Sequence, residues 1–150
     1  PYRIYIYNIQ SMDIEKLLKA LDKDENEEII DMTTEKIYQN NISVIKELEL
    51  EPEEEKKIIS KLDGYKYIDD VSSLNSGAYI RWICVSNPAN VNLSKGAWIC
   101  DIRFTDEGIA VVCKGVYHRH FQIKFDECLI FQRLNDQERV LLSALDYLAK

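Results

Sequence analysis

The stretch Ala78-Tyr79-Ile80-Arg81-Trp82-Ile83-Cys84-Val85 decides how this chain is read. It is rich in β-branched and aromatic residues, which fit a half-buried pleated surface. Just before it lies Ser72-Ser73-Leu74-Asn75-Ser76-Gly77, the clearest cluster of turn-formers in the chain. Similar short runs follow at Ala97–Phe104, Ile109–Lys114, His120–Phe125 and Cys128–Gln132. Thr105-Asp106-Glu107-Gly108 reads as a tight hairpin turn. With Asp106 and Glu107 at its tip, Thr105 pairs with Gly108 and the register sets Cys100 opposite Cys113. Lys114–His118 is the next turn. Phe121, Ile123 and Phe125 then alternate with Gln122 and Lys124, the period of a half-buried strand. Asp126-Glu127 turns into the last run.

Short strands at this spacing, joined by tight turns, predict an antiparallel meander curled into a small barrel, SH3-like or Tudor-like by analogy of architecture. The fold class is therefore α+β. Residues 1–76 form an acidic, mainly helical region that opens with a strand, and residues 77–150 form the barrel with a C-terminal helix. In the first region Tyr2–Tyr7 reads as the strand, and Ile14, Leu17, Leu18 and Leu21 make one helical stripe. The run Asp22–Glu28 is a solvated charge run, without the spacing or central glycine of a calcium loop. A second helix starts near Thr33 or Thr34, with Asn40-Asn41 weakening its middle. A third begins at Pro52, where Glu53, Glu54 and Glu55 suit the positive helix end. Tyr65–Val71 is a short extended piece or a turn. In the last helix Asn135 and Glu138 form a capping box ahead of Val140, Leu141, Ala144, Leu145 and Leu148.

The chain has 150 residues, 46% hydrophobic and 30% charged, as in an ordinary soluble globular domain. No apolar run approaches the ~20 residues of a membrane span, and no secretory signal opens the sequence. The expected location is cytoplasmic or otherwise intracellular. Net charge is −7, split as −8 over residues 1–75 and +1 over residues 76–150. Neither half has the basic surplus of a protein held to phosphates by counterion release.

All four cysteines, both tryptophans and both histidines fall between Ala78 and Leu134. Cys84, Cys100, Cys113 and Cys128 stand singly, more than ten residues apart, and not in the close pairs a structural zinc site uses. They read as reduced core thiols, and the tryptophans as core aromatics. His118 and His120 share a face if they lie in one strand, where they can chelate a metal, but no third ligand is evident. The competing reading is a polar hairpin with solvent-facing imidazoles and Arg119 placed for a carboxylate or phosphate. Arg81 alternates away from Trp82 and is expected to face a partner. There is no glycine-rich phosphate loop and no Gly-x-Ser-x-Gly elbow, so no enzyme, cofactor or metal is expected.

Gly77-Ala78-Tyr79-Ile80-Arg81-Trp82-Ile83, Phe121-Gln122-Ile123-Lys124-Phe125-Asp126-Glu127 and Ile130-Phe131-Gln132-Arg133-Leu134 resemble small uncharacterised proteins of large DNA viruses. The resemblance covers the C-terminal half and implies a viral accessory or virion component in the host cell. The function expected first is non-enzymatic: protein partners bound through the barrel surface, with Arg81, Tyr117, His118, Arg119, His120 and Lys124 as binding residues. The alternative is a nucleic-acid-binding module built on Arg81, Lys95, Arg103, Lys114, Arg119 and Lys124 with the nearby aromatics.

Overall fold

Strand pairing, more than strand count, sets this architecture. The computed structural model describes residues 33–148. The strand predicted at 2–7, the helix ending at Leu21 and the charge run 22–28 lie outside the described residues. Helices α1 (Thr34–Lys46) and α2 (Pro52–Lys61) precede the strands. The strands are β1 (Tyr65–Ile68), β2 (Tyr79–Cys84), β3 (Ala97–Thr105), β4 (Gly108–Lys114), β5 (His120–Lys124) and β6 (Cys128–Arg133), and helix α3 (Asp136–Leu148) follows. The described residues fall into two compact units. One is Asn41–Arg133; the described residues before Asn41 and after Arg133 make up the other.

The six strands form one antiparallel sheet in the order β1-β6-β2-β3-β4-β5. It is α+β as predicted, but it does not close into a barrel. Strand β6 returns beside β2 and takes β1 on its far side, so β1 and β5 are left as edges that do not pair with each other. Strand spacing predicts a meander; closure depends on tilt and stagger, which spacing does not encode. The turn cluster 72–77 connects two strands of this one sheet, since Tyr65–Ile68 pairs with Ile130–Arg133.

The sheet nevertheless curls. Trp82 on β2 and Phe121 on β5 are three strand positions apart, about 14 Å on a flat sheet. Their ring centroids lie 5.6 Å apart. The hollow of that curl holds a core of Ile68, Leu74, Ile80, Ala97, Ile99, Val111, Cys113 and Ile130. On the opposite face Ile83 and Phe131 pack with Ile45 of α1 and with Ile58 and Leu62 of α2 and its end. The Asn41–Lys46 part of α1, together with α2, packs on the β1, β6 and β2 part of that face.

Two buried amides fasten the irregular segments. Asn41 of α1 donates from Nδ2 to the Tyr65 carbonyl at 2.9 Å and accepts the Tyr67 N–H at 3.0 Å, so it pairs like a strand residue along the β1 edge. Gln132 of β6 donates to the Ser73 carbonyl and accepts the Asn75 N–H, which pins the 72–77 turn. In the other unit, the capping box is present: Asn135 Oδ1 accepts the Glu138 N–H, and Glu138 Oε1 accepts the Asn135 N–H. Asp146 of α3 accepts both the N–H and the hydroxyl of Thr34, placing a carboxylate at the positive start of α1.

Thr105 pairs with Gly108 as the sequence predicts, but Cys100 does not face Cys113. The register slips by one between Ile99 and Asp101, so Ile99 is opposite Cys113 and Cys100 sits in a β-bulge. The slip puts Ile99 and Ile102 on the same, inner face. It turns Asp101 and Arg103 outward with Trp98.

Candidate functional site

The β4–β5 hairpin gathers most of the residues singled out in the sequence. Its loop is a turn closed by the His118 N–H donating to the Gly115 carbonyl at 3.1 Å, with the Gly115 N–H donating to the Arg119 carbonyl at 3.0 Å. His118 takes a left-handed backbone, φ +60°, in the position a three-residue hairpin loop reserves for such a residue. The tip thrusts Val116 and Tyr117 into solvent, 68% and 87% exposed. Phe121 lies back beside the hairpin, with its ring carbon 3.6 Å from the space a side chain at Gly115 would occupy. Arg119 and His120 are exposed.

Strand β5 is the outer strand of this hairpin and, among the described residues, has no strand partner on its far side. The Gly115–Arg119 bond makes Lys114 and His120 a non-hydrogen-bonded pair. By alternation, His120, Gln122 and Lys124 therefore present their own N–H and C=O groups to the open edge. Their side chains share the face opposite the inner core. Lys124 comes within 3.9 Å of Glu127, an exposed pair of little energetic weight.

Several predicted roles are relocated. His118 and His120 do not share a strand face, because the strand begins at His120 and His118 sits in the left-handed turn. Among the described residues no group of three or more His, Cys, Asp or Glu is placed to hold a metal ion. Arg81 is tied into the fold: Nε donates to the Ser94 carbonyl at 2.9 Å, and a terminal nitrogen reaches the Lys61 carbonyl at 3.5 Å, at the negative end of α2. Arg81 thus lies apart from the hairpin, held by Ser94 and the end of α2.

The tryptophans part company. Trp82 packs against the inner core as expected, whereas Trp98 is 42% exposed and is not a core residue. Trp98 belongs to a cross-strand row. Tyr79 pairs with Trp98, Trp98 with Lys114, and Lys114 with His120. Tyr79 and Trp98 meet edge to face at 4.9 Å, and the Arg133 guanidinium lies 4.7 Å from the Tyr79 ring centroid. The row therefore sets two adjacent aromatics, Tyr79 and Trp98, between Arg133 and Lys114 on one face. Nothing in single-strand periodicity reveals it, because it runs perpendicular to the chain.

The reading of four core thiols holds for Cys113, which is buried, and in part for Cys128, which is half-buried. Cys84 and Cys100 are exposed. Cys84 is the last residue of β2, and Cys100 lies in the bulge of β3. Burial, with a smaller contribution from the charge of Cys100, pushes the Cys113 thiol up to about 12. Comparison of the chain with protein-family models, curated proteins and solved structures finds no match. Among the described residues, no helix is long and apolar enough to cross a membrane.

Proposed function

We propose that this protein is a non-enzymatic interaction module that captures a partner protein at the β4–β5 hairpin, by adding an extended segment of the partner to the open edge of β5. The observation that carries this reading is the β5 edge, unpaired among the described residues, lying beside exposed Val116, Tyr117 and Phe121. Main-chain hydrogen bonds from His120, Gln122 and Lys124 supply affinity, and the aromatics supply anchors of the kind that dominate interface energetics. Arg119, Lys124 and the basic row beyond them favour an acidic segment. The meander β2–β5, the short 3-10 turn Phe125–Glu127 and the return of β6 beside β2 follow the strand connectivity of SH3-like folds without their closure. An adaptor role also agrees with the viral accessory character implied by the sequence resemblance.

The decisive variant is Gln122→Pro. It removes an N–H that points away from β4, so the sheet survives while the edge loses a donor. A partner crosslinked to the wild-type protein in its native extract and identified by mass spectrometry is expected to be lost with Gln122→Pro and with Tyr117→Ser. Retention of that partner by both variants overturns the reading.

The cation–aromatic row supports a second reading, binding of single-stranded nucleic acid with Trp98 as a stacking platform. Its test is titration of fluorescent oligonucleotides at low and moderate salt. Salt-sensitive binding that is lost in Trp98→Ala and weakened in Lys114→Ala supports it; no binding at low salt removes it.

A further inference from the structure

Cys84, the last residue of β2, stands directly opposite Cys128, the first residue of β6. The Val85 N–H donates to the Glu127 carbonyl at 2.9 Å. That bond brackets the two cysteines as a non-hydrogen-bonded pair, the position where facing side chains approach most closely, with Cα atoms about 4.5 Å apart. Such a separation lies inside the range a disulfide spans, roughly 4.4–6.8 Å. The side chains lie on the same face, and the two thiols are in hydrogen-bonding reach of each other. Cys84 is exposed and Cys128 half-buried. Ser86 adds a third group: its Oγ is 3.0 Å from the Cys84 Sγ, and its backbone N–H also serves that sulfur.

We propose that Cys84 and Cys128 are a peroxide-oxidisable dithiol that closes to a cross-strand disulfide, with Cys84 as the attacking sulfur and Cys128 as the resolving one. Hydrogen bonds from Ser86 hold the Cys84 thiol below its ordinary range, which raises the thiolate fraction at neutral pH. Cys128 is pushed up to about 12, first by burial and then by the charge of Cys84, so it stays protonated while Cys84 reacts. The thiolate of Cys84 attacks one oxygen of a hydroperoxide and the O–O bond breaks. Sulfur is oxidised by two electrons to a sulfenic acid, and the departing oxygen takes up a proton and leaves as water or alcohol. The sulfenic acid is neutral, so the charge that opposed ionisation of Cys128 is gone. The Cys128 sulfur then attacks the Cys84 sulfur, the S–O bond breaks, and hydroxide leaves with the Cys128 proton as water. With hydrogen peroxide, one peroxide and two thiols become one disulfide and two waters. The other two cysteines are placed differently: Cys113 is buried, and Cys100, whose charge acts on Cys113, sits in the bulge of β3 out of cross-strand register with it.

The test uses the full-length protein, fully reduced, treated with stoichiometric hydrogen peroxide, alkylated and digested with trypsin. Cleavage after Arg81, Lys95, Lys124 and Arg133 puts Cys84 and Cys128 on separate peptides. The expected result is a linked pair of the peptides 82–95 and 125–133, reversed by dithiothreitol, with Cys100 and Cys113 still alkylated. Ser86→Ala is expected to slow the linkage roughly three- to tenfold at pH 7, because the thiolate fraction of Cys84 falls. Cys100→Ser is expected to leave the rate unchanged. In Cys128→Ser, Cys84 is expected to stop at the sulfenic acid, which a dimedone probe captures. Four free thiols after treatment, a linkage through Cys100, or an undiminished rate in Ser86→Ala overturns the proposal.

Discussion

Asn41 and Tyr67 are joined by a hydrogen bond that makes a helix side chain act as a neighbouring strand. The Tyr67 N–H is donated to Asn41 Oδ1 at 3.0 Å, and the same amide returns a bond to the Tyr65 carbonyl. The two groups belong to the outer side of β1, where an edge strand would otherwise leave them bare. Asn41 is almost wholly buried. Asn41→Ala therefore strands a donor and an acceptor away from water, and a loss of about 2–4 kcal/mol is expected in urea unfolding. Asn41→Asp keeps the shape and the acceptor but loses the donor to Tyr65. It is expected to be destabilised at pH 7 and to recover partly at pH 4, when its carboxyl can donate.

Gly96, immediately before β3, has no room for a side chain. Its φ is +106°, and a Cβ there would lie 2.5 Å from Tyr79 Cε1 and 2.7 Å from Cζ. The ring cannot simply swing aside. Its hydroxyl donates to the Lys95 carbonyl, its edge meets Trp98, and Arg133 covers its face. Gly96→Ala is expected to cost about 2–4 kcal/mol through clash and backbone strain. It should also change Trp98 fluorescence in the folded protein, since Tyr79 must leave its ring contact.

His118 pays for its turn with a left-handed backbone. A non-glycine residue there costs roughly 1–2 kcal/mol, partly offset in a glycine by the extra freedom of its unfolded chain. His118→Gly is thus expected to stabilise by about 0.5 kcal/mol and His118→Val to destabilise by at least as much again. Equal stability of the two variants in thermal melts would show that the loop does not hold this conformation.

The strands were legible because their signals are local. The composition of Tyr79–Cys84, the Asp106-Glu107 tip and the Asn135–Glu138 box each act over a few residues and appear where expected. The open edges were not legible, because the choice of β6 to pair with both β1 and β2 is made between segments far apart in the chain. The bulge at Cys100 was hidden for a related reason. A strict alternation through Asp101 and Arg103 reads as a plausible strand, and only the need to bury both Ile99 and Ile102 forces the slip. Trp98 is likewise illegible, since alternation along β3 does not say which face of the strand is covered. Of the candidate site, Tyr117, Arg119 and His120 were visible as an unusual turn; Ser86 beside Cys84 was not, because neither residue is unusual alone.

Alkaline unfolding follows from the buried thiols. Cys113 and Cys128 are each raised from an ordinary 9.0 to about 12, burial being the larger cause in both. The phenol of Tyr67 is also raised, by burial and then by the charges of Asp69 and Glu47. A raised pKa means the folded state holds a proton that the unfolded chain releases first. The stabilisation is complete below the unfolded value and is lost as pH climbs from about 9 towards 12. The free energy of unfolding, measured from urea midpoints under reducing conditions, is therefore expected to rise slightly on the neutral side of pH 9, where the lowered Cys84 thiol ionises first in the folded chain. It should then fall with a slope approaching two to three protons. Each proton corresponds to about 1.4 kcal/mol per pH unit. Cys113→Ala lowers stability at every pH by leaving a small void, but the diagnostic is the slope. It is expected to lose about one proton between pH 9 and 11, and a slope identical to the wild type would show that Cys113 ionises as readily folded as unfolded.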